Sequence, residues 1–417
     1  MHILRGTKDI LPQEIINWQY IYQTVYETLK TYNYQEIRTP IIEATDLFQR
    51  SIGNDTDIVY KEMYSFKDQG NRQITLRPEG TASIARAFID NQLYLKKNIN
   101  KLWYVGPMFR YERPQSGRQR QFHQIGIECI GSINPIADAE VIRLANQILQ
   151  KLQCNDYNIE LNSLGNLEER SNYTNHLIEY LSKYQTDLDQ DSQRRLISNP
   201  LRILDSKDNK TQEILDNGPK LKKFLNKASL EHFDQLCQFL NILNINYTIN
   251  EKLVRGLDYY NNTAFEITTY IDNNKETICG GGRYDTLIKQ LGGPDTPSIG
   301  WAMGIERLLR LTNQSLNKQY HKIDLYIAII GYGAQIEIWD IIKFIEQYDI
   351  IFELDLSNNS LKKQIKNADK VGAKFCLILG ENEIKNKHLS LKNLETGQQI
   401  TIANNELIYL IRMITKN

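Results

Sequence analysis

The sequence predicts an α+β fold: a large part built on a mostly antiparallel sheet and carrying a helical insertion, then a small C-terminal α/β domain. Three observations lead there. Two blocks, at about 100–130 and 253–284, are rich in strand patterns with no helix between their strands, as in antiparallel pairing. The polar stretch between them, about 167–248, has helical patches and a different composition, so it reads as an inserted subdomain. After residue 323 strand and helix patterns alternate, the mark of a largely parallel sheet. At 417 residues there is room for two or three domains.

The elements follow in order. Trp18, Ile21, Val25 and Leu29 recur at helical spacing, and Pro12 stands where a first turn tolerates its missing N–H. Leu102–Arg113 and Gln121–Ile130 flank a loop with Pro, Ser and Gly and read as a long hairpin. Side chains alternate along a strand, so Ile125, Ile127 and Cys129 form an apolar face. Gln124, Gly126 and Glu128 form the opposite one, and Arg110 and Glu112 share a face of the first strand. In the insertion, Asp187–Arg195 and Ala228–Leu243 read as helices. Leu311–Lys322 is polar and aperiodic, a linker that divides the chain into 1–322 and 323–417. Beyond it come strand Leu325–Ile330, a helix near Ile336–Gln347, strand Ile350–Leu354, a helix near Leu361–Val371 and strand Phe375–Leu379. A last helix puts Leu407, Leu410, Ile411 and Ile414 on one face, with Asn404 or Asn405 as its cap.

Composition removes several classes. Hydrophobic residues at 41% and charged ones at 24% are those of a globular protein, which argues against disorder. Apolar runs such as Leu325–Ile330 fall far short of the roughly 20 residues a membrane span needs. Met1–Asp9 has no apolar core of a secretory signal. Five dispersed cysteines without a C-x-x-C pair suit reduced thiols in the cytoplasm, and neither they nor the six histidines show metal spacing. Gly331-Tyr332-Gly333 begins like a dinucleotide fingerprint, but Ile336 stands where the third glycine belongs, leaving a strand-to-helix turn. No Gly-Lys dipeptide occurs, which excludes a P-loop, so any nucleotide phosphate must be gripped by arginines. The balance of 50 basic against 50 acidic residues limits indiscriminate nucleic-acid binding without excluding a locally charged, specific surface.

Arg110, Arg113, Arg118 and Arg120 fall within eleven positions, which points to an anion site, because guanidinium matches phosphate geometry. Here the sequence resembles a known family. Phe109-Arg110-Tyr111-Glu112-Arg113-Pro114 with Arg120-Gln121-Phe122-His123-Gln124 resembles the second signature motif of class II aminoacyl-tRNA synthetases in its histidyl form. Arg5–Pro12 is similar to the family's N-terminal motif, and Thr75–Thr81 to its amino-acid-binding turn. Leu253–Tyr260 and Gly280–Asp285 resemble two motifs particular to histidyl-tRNA synthetases, and Ser298–Arg307 resembles the third class II motif. The run from Leu361 to Ala373 looks like part of the family's anticodon-binding domain.

The resemblance implies a class II catalytic core, histidine–tRNA ligase activity and a set of roles. Arg110 and Arg255 would be catalytic, and Arg110, Glu112 and Arg307 would hold ATP. Glu79, Thr81, Gln124, Glu128, Tyr260 and Tyr284 would bind histidine, with Tyr284 near the pocket mouth. Arg113 and Gln115 would meet the tRNA acceptor end, and Pro40 would lie at a homodimer interface. Mg²⁺ would arrive with ATP, held by phosphates and water rather than by protein side chains. The partners implied are tRNA(His), L-histidine and ATP, with no membrane. A synthetase-like regulatory subunit of ATP phosphoribosyltransferase, binding histidine without charging tRNA, is the alternative. Such chains typically lack the arginine motif that Arg255 completes and the C-terminal domain.

Overall fold

The computed structural model describes residues 2–53, 56–112, 119–271, 273–312 and 323–415. They fall into two compact units, Met1–Leu316 and Asn317–Asn417.

The first unit opens with helix Pro12–Thr31, with Pro12 in its first turn and Ile21, Val25 and Leu29 buried. Its main sheet has eight strands, in the order Gln35–Glu36, Asn100–Phe109, Gln121–Ile130, Ser298–Gly304, Asn274–Arg283, Asn261–Ile271, Asn158–Ser163 and Thr248–Ile249. The six long strands pair antiparallel, and a two-residue strand adds parallel at each edge. One face of this sheet is apolar. Ile125, Ile127, Cys129, Trp301, Phe265 and Ile267 pack there against helices Pro12–Thr31, Pro135–Lys151 and Lys227–Ile242. Each fully buried aliphatic or aromatic side chain contributes about 1.5–3 kcal/mol, so this face anchors the sheet and leaves the other available for chemistry.

The hairpin's first strand stops at Phe109, four residues earlier than expected, in register with Gln121. Arg110 N–H still donates to Arg120 O at 2.9 Å, but Tyr111 N–H turns to Glu62 O at 2.7 Å. The ladder ends because the segment Ile58–Glu62 captures the next donor. Arg113, Gln115 and Arg118 lie outside the described residues.

In the insertion, helices Leu167–Ser182, Gln190–Ser198, Asn209–Asp216 and Lys227–Ile242 are each preceded by a capping side chain: Asn166, Asp189, Asp208 and Asn226. The helix expected from Asp187 begins at Gln190 because Asp189 spends its carboxylate on the N–H groups of Asp191 and Ser192. Of the segment 311–322, Leu311 and Thr312 close helix Ile305–Thr312, and 313–322 lie outside the described residues.

The second unit carries a five-stranded sheet ordered Phe352–Leu354, Leu325–Ile329, Phe375–Leu379, His388–Asn393 and Gln399–Ala403. The first three strands are parallel, but the last two pair antiparallel, so the sheet is mixed rather than largely parallel. Leu389, Leu391 and Ile402 are buried at alternate positions, and Thr396-Gly397 turns the chain between the two strands. Gly331, at φ +89°, opens helix Tyr332–Ile345 and makes the expected turn. Asn404–Glu406 form a short 3₁₀ turn before helix Leu407–Thr415, where a simple cap was expected. Among the described residues no helix is long and apolar enough to cross a membrane.

Candidate active site

The sheet face opposite the core is shaped by missing side chains. Gly280 and Gly282 alternate on one strand, and Gly300 is the register partner of Gly282 on the next, so all three point to one face. A Cβ at Gly280 would collide with the Arg255 guanidinium, one at Gly282 would press on the Tyr260 ring, and one at Gly300 would collide with Glu128 Oε2. Gly126 continues this face beside the Tyr104 ring, which also fills the space Gly80 leaves. The backbone of this face is thus bare where Arg255, Tyr260, Glu128 and Tyr104 lie against it. Gly300 makes room for Glu128.

Two carboxylates occupy the resulting pocket. Glu128 is fully buried; its Oε1 accepts from Thr81 Oγ1 at 2.7 Å and its Oε2 from the Tyr284 hydroxyl at 2.5 Å. Glu79, at the entry to helix Thr81–Asp90, accepts from the N–H groups of Thr81 at 2.7 Å and Ala82 at 2.8 Å. The Tyr259 hydroxyl reaches Glu79 at 3.5 Å, and the Tyr259 ring lies tilted against Tyr260 and meets Tyr284 edge-on. Burial pushes Glu128 up to about 8, against the pull of the Tyr284 and Thr81 hydrogen bonds, and neighbouring Glu79 adds to the rise. Burial also raises Glu79, offset by its backbone donors and by the Arg110 charge. Burial holds Tyr260 at about 12. Gln124 Oε1 is buried without a hydrogen-bond partner among the described residues. The Tyr104 hydroxyl is likewise buried without a partner among the described residues, and the unpaired Gln124 Oε1 suits a ligand that brings an N–H group.

Arginines stand beside it. Arg110 Nε donates to Pro78 O at 2.9 Å, and its guanidinium lies 5.3 Å over the Phe122 ring. Arg255 ion-pairs with Glu266, sits 5.8 Å over the Tyr260 ring, and keeps a buried Nε with no hydrogen-bond partner among the described residues. Thr277 donates its hydroxyl to the other oxygen of Glu266 at 3.3 Å. Arg307, in helix Ile305–Thr312, donates to Thr277 O and faces Glu276 at 3.8 Å. Glu112 is half-buried near Glu62, whose carboxyl is raised first by burial and then by the Glu112 charge.

The fold thus gathers Glu79, Thr81, Gln124, Glu128, Tyr260, Tyr284, Arg110 and Arg255 on or beside one sheet face. Tyr284 is not at the pocket mouth; only 2% of it is exposed. The cause lies next door, where fully buried Arg283 is pinned by Asp138 and Asp285. Sequence reasoning missed Tyr104, Tyr259 and Glu266. The available signal for Tyr104 was the pair Gly80 and Gly126. A separate open hollow of about 500 Å³, lined by Thr45, Asp46, Tyr60 and Lys61 among others, contains none of these residues. Its polar, open walls make it the weaker candidate, since it lacks the convergent buried groups of the tyrosine pocket. No group of three or more His, Cys, Asp or Glu residues able to hold a metal occurs among the described residues.

An antiparallel sheet with this pocket and these arginines, followed by a unit with its own mixed sheet, has the architecture of a class II aminoacyl-tRNA synthetase. The family model described as histidyl-tRNA synthetase matches residues 6–308, and that of the anticodon binding domain matches 324–413. The chain is 64% identical over 401 residues to the chloroplastic histidine–tRNA ligase of Gracilaria tenuistipitata var. liui, covering 96% of this chain and 95% of that one. It is 49% identical to the histidine–tRNA ligase of a Cyanothece strain, covering 97% and 94%. Apo histidyl-tRNA synthetase from S. aureus superposes with a TM-score of 0.82 at 37% identity, covering 98% and 99%. The chain belongs to the histidyl-tRNA synthetase family.

Proposed function

We propose that the chain is a histidine–tRNA ligase that makes histidyl-adenylate from ATP and histidine, then passes the histidyl group to the 3′ end of tRNA(His). The observation that carries this reading is the buried pair Glu79 and Glu128, in a tyrosine-lined pocket on the sheet face that also holds Arg255. Histidine's α-ammonium group goes to Glu79, Thr81 and the open Gln124 Oε1. Its imidazole goes between Glu128, which accepts an N–H, and Tyr260. Tyr284 and Thr81 fix the Glu128 carboxylate for that contact.

In the first step a carboxylate oxygen of histidine attacks the α-phosphorus of ATP, the bond from that phosphorus to the bridging oxygen breaks, and pyrophosphate leaves. Two anions must meet, so the contribution of Arg110 and Arg255 is charge stabilisation and positioning. Arg307 takes the γ-phosphate, with Glu112 completing the nucleotide site. In the second step the terminal tRNA hydroxyl attacks the histidyl carbonyl and AMP departs, with Arg113 and Gln115 meeting the acceptor end. Mg²⁺ accompanies ATP and offsets phosphate charge. Glu266 and Glu276 are already paired with arginines, which supports holding the ion by phosphate oxygens and water.

Residues 1–322 form the catalytic part, with the insertion at about 167–248, and 323–417 the anticodon-binding part. Exposed Lys362, Lys366 and Lys370, spaced by four along helix Leu361–Lys370, support contact with RNA phosphates there. A homodimer is supported by exposed Pro40, Ile41, Ile42 and Phe66. The chloroplastic relative at 64% identity supports a plastid interior as the compartment. The non-charging regulatory alternative is not favoured, because Arg255 and the C-terminal unit are both present. Charging of tRNA(His) with labelled histidine tests the whole reading. Histidine binding without charging would favour the alternative.

A further inference from the structure

We infer that Arg170, in the inserted subdomain, is a positioning residue for the loop 253–260, so that the insertion holds Arg255 and Tyr260 in their working places. This rests on the role proposed above for Arg255. The loop has no regular structure, and its buried carbonyls need partners from elsewhere. Arg170 Nη1 supplies them, donating to Asp258 O at 3.0 Å and Tyr260 O at 2.6 Å. Burial lowers the pKa of Arg170, with only the Asp258 charge acting the other way.

Arg170 itself is firmly held. It lies in the first turn of helix Leu167–Ser182, where Asn166 caps and the buried Glu169 closes the capping box. Glu169 also accepts from Ser229 Oγ at 2.8 Å and from Asn226 N–H, tying this turn to helix Lys227–Ile242. Further links fasten the loop and the start of the strand that follows it. Asn199 of the insertion donates to Asp258 Oδ1 at 3.1 Å. Leu164 N–H donates to Asn262 O and Asn262 N–H to Gly165 O, at 2.6 and 2.8 Å. Tyr259 and Tyr260 share one apolar cluster with Tyr173, Leu177 and Ile203 of the insertion. A guanidinium that bridges two carbonyls on either side of Tyr259 fixes the path of the backbone between them, and a small misplacement of reacting groups costs on the order of 10²-fold in rate.

The test is a double-mutant cycle on the full-length chain, read by ATP–pyrophosphate exchange. Arg170→Met should lower kcat by roughly 10- to 100-fold and raise KM for histidine through Tyr260, with KM for ATP unchanged. Arg170→Lys should restore part of the loss. Arg170→Met in an Arg255→Ala background should lower kcat by no more than a factor of about 2, because the arginine being positioned is gone, while the rise in KM for histidine through Tyr260 persists. Full additivity of the two losses, or a wild-type rate for Arg170→Met, would overturn the inference. If Arg170→Met does not fold, Asn199→Ala goes through the same cycle, with the same coupling expected and additivity again decisive. A fully active Arg255→Ala would instead overturn the role of Arg255, and this inference with it.

Discussion

Tyr284 donates its hydroxyl to Glu128 Oε2 across 2.5 Å, with both side chains buried, while Thr81 occupies the other oxygen of the same carboxylate. The carboxylate is thereby locked in one orientation before any substrate arrives.

Removing either member of that pair should therefore damage amino-acid recognition more than nucleotide binding. Glu128→Gln should raise KM for histidine by roughly 10²-fold, since a site built to pair a polar group discriminates strongly. Tyr284→Phe, which leaves the carboxylate but frees its orientation, should cost roughly tenfold. Steady-state pyrophosphate exchange with each substrate varied separately reads both effects. Equal changes in the KM for ATP would contradict the assignment.

The same carboxyl gives a pH dependence with a defined sign. Glu128 titrates at about 8 in the folded protein against an ordinary 4.5. The neutral form is the one the fold tolerates, so its contribution to stability is fully present below about 4.5 and is lost as pH rises through about 8. Melting curves between those limits should show a steeper fall for wild type than for Glu128→Gln, with Glu79 leaving a residual slope in both. Histidine binding at pH 7 should release a proton from Glu128, detectable by calorimetry in buffers of different ionisation enthalpy. Binding without proton release, or identical slopes for the two proteins, would count against it.

Arg255→Ala should slow adenylate formation by about 10²–10³-fold, to a residual rate that exchange still reads, with the fold and oligomeric state intact. Gly280→Ala is the subtler probe. Its new Cβ would collide with the Arg255 guanidinium, the far end of a flexible side chain, so the protein should fold while its arginine is displaced. The expected result is a drop in kcat approaching that of Arg255→Ala with a melting midpoint near wild type. A wild-type kcat would mean that the position of Arg255 does not matter.

Deleting residues 323–417 should spare adenylate formation and impair tRNA charging, because that unit has its own core, centred on Leu325, Ile327, Ile338 and Leu377. Parallel exchange and charging assays compare the two steps. Unchanged charging kinetics would remove the unit from tRNA recognition.

Much of this arrangement is written in local patterns. Helix Pro12–Thr31 follows from apolar spacing and one proline, and the split faces of Gln121–Ile130 follow from strict alternation. The failures have physical causes. The first hairpin strand ends early because a distant segment takes the Tyr111 N–H, which no local pattern encodes. Tyr104 and Tyr259 are indistinguishable in sequence from the rest of the 24 tyrosines; only the glycines that vacate space for Tyr104 mark it. Glu266 reads as one polar residue in an alternating strand, and its meaning appears when Arg255 folds onto it. Arg170 lies in the segment with the weakest pattern, 88 and 90 residues from the carbonyls it holds.

On the proposed function, the Glu79–Glu128 pocket selects histidine for activation beside Arg110 and Arg255. ATP–pyrophosphate exchange run with each standard amino acid in turn tests it most directly. Exchange with histidine alone, about 10²–10³-fold slower in Arg255→Ala, is the predicted result. Exchange with a different amino acid and none with histidine would contradict it.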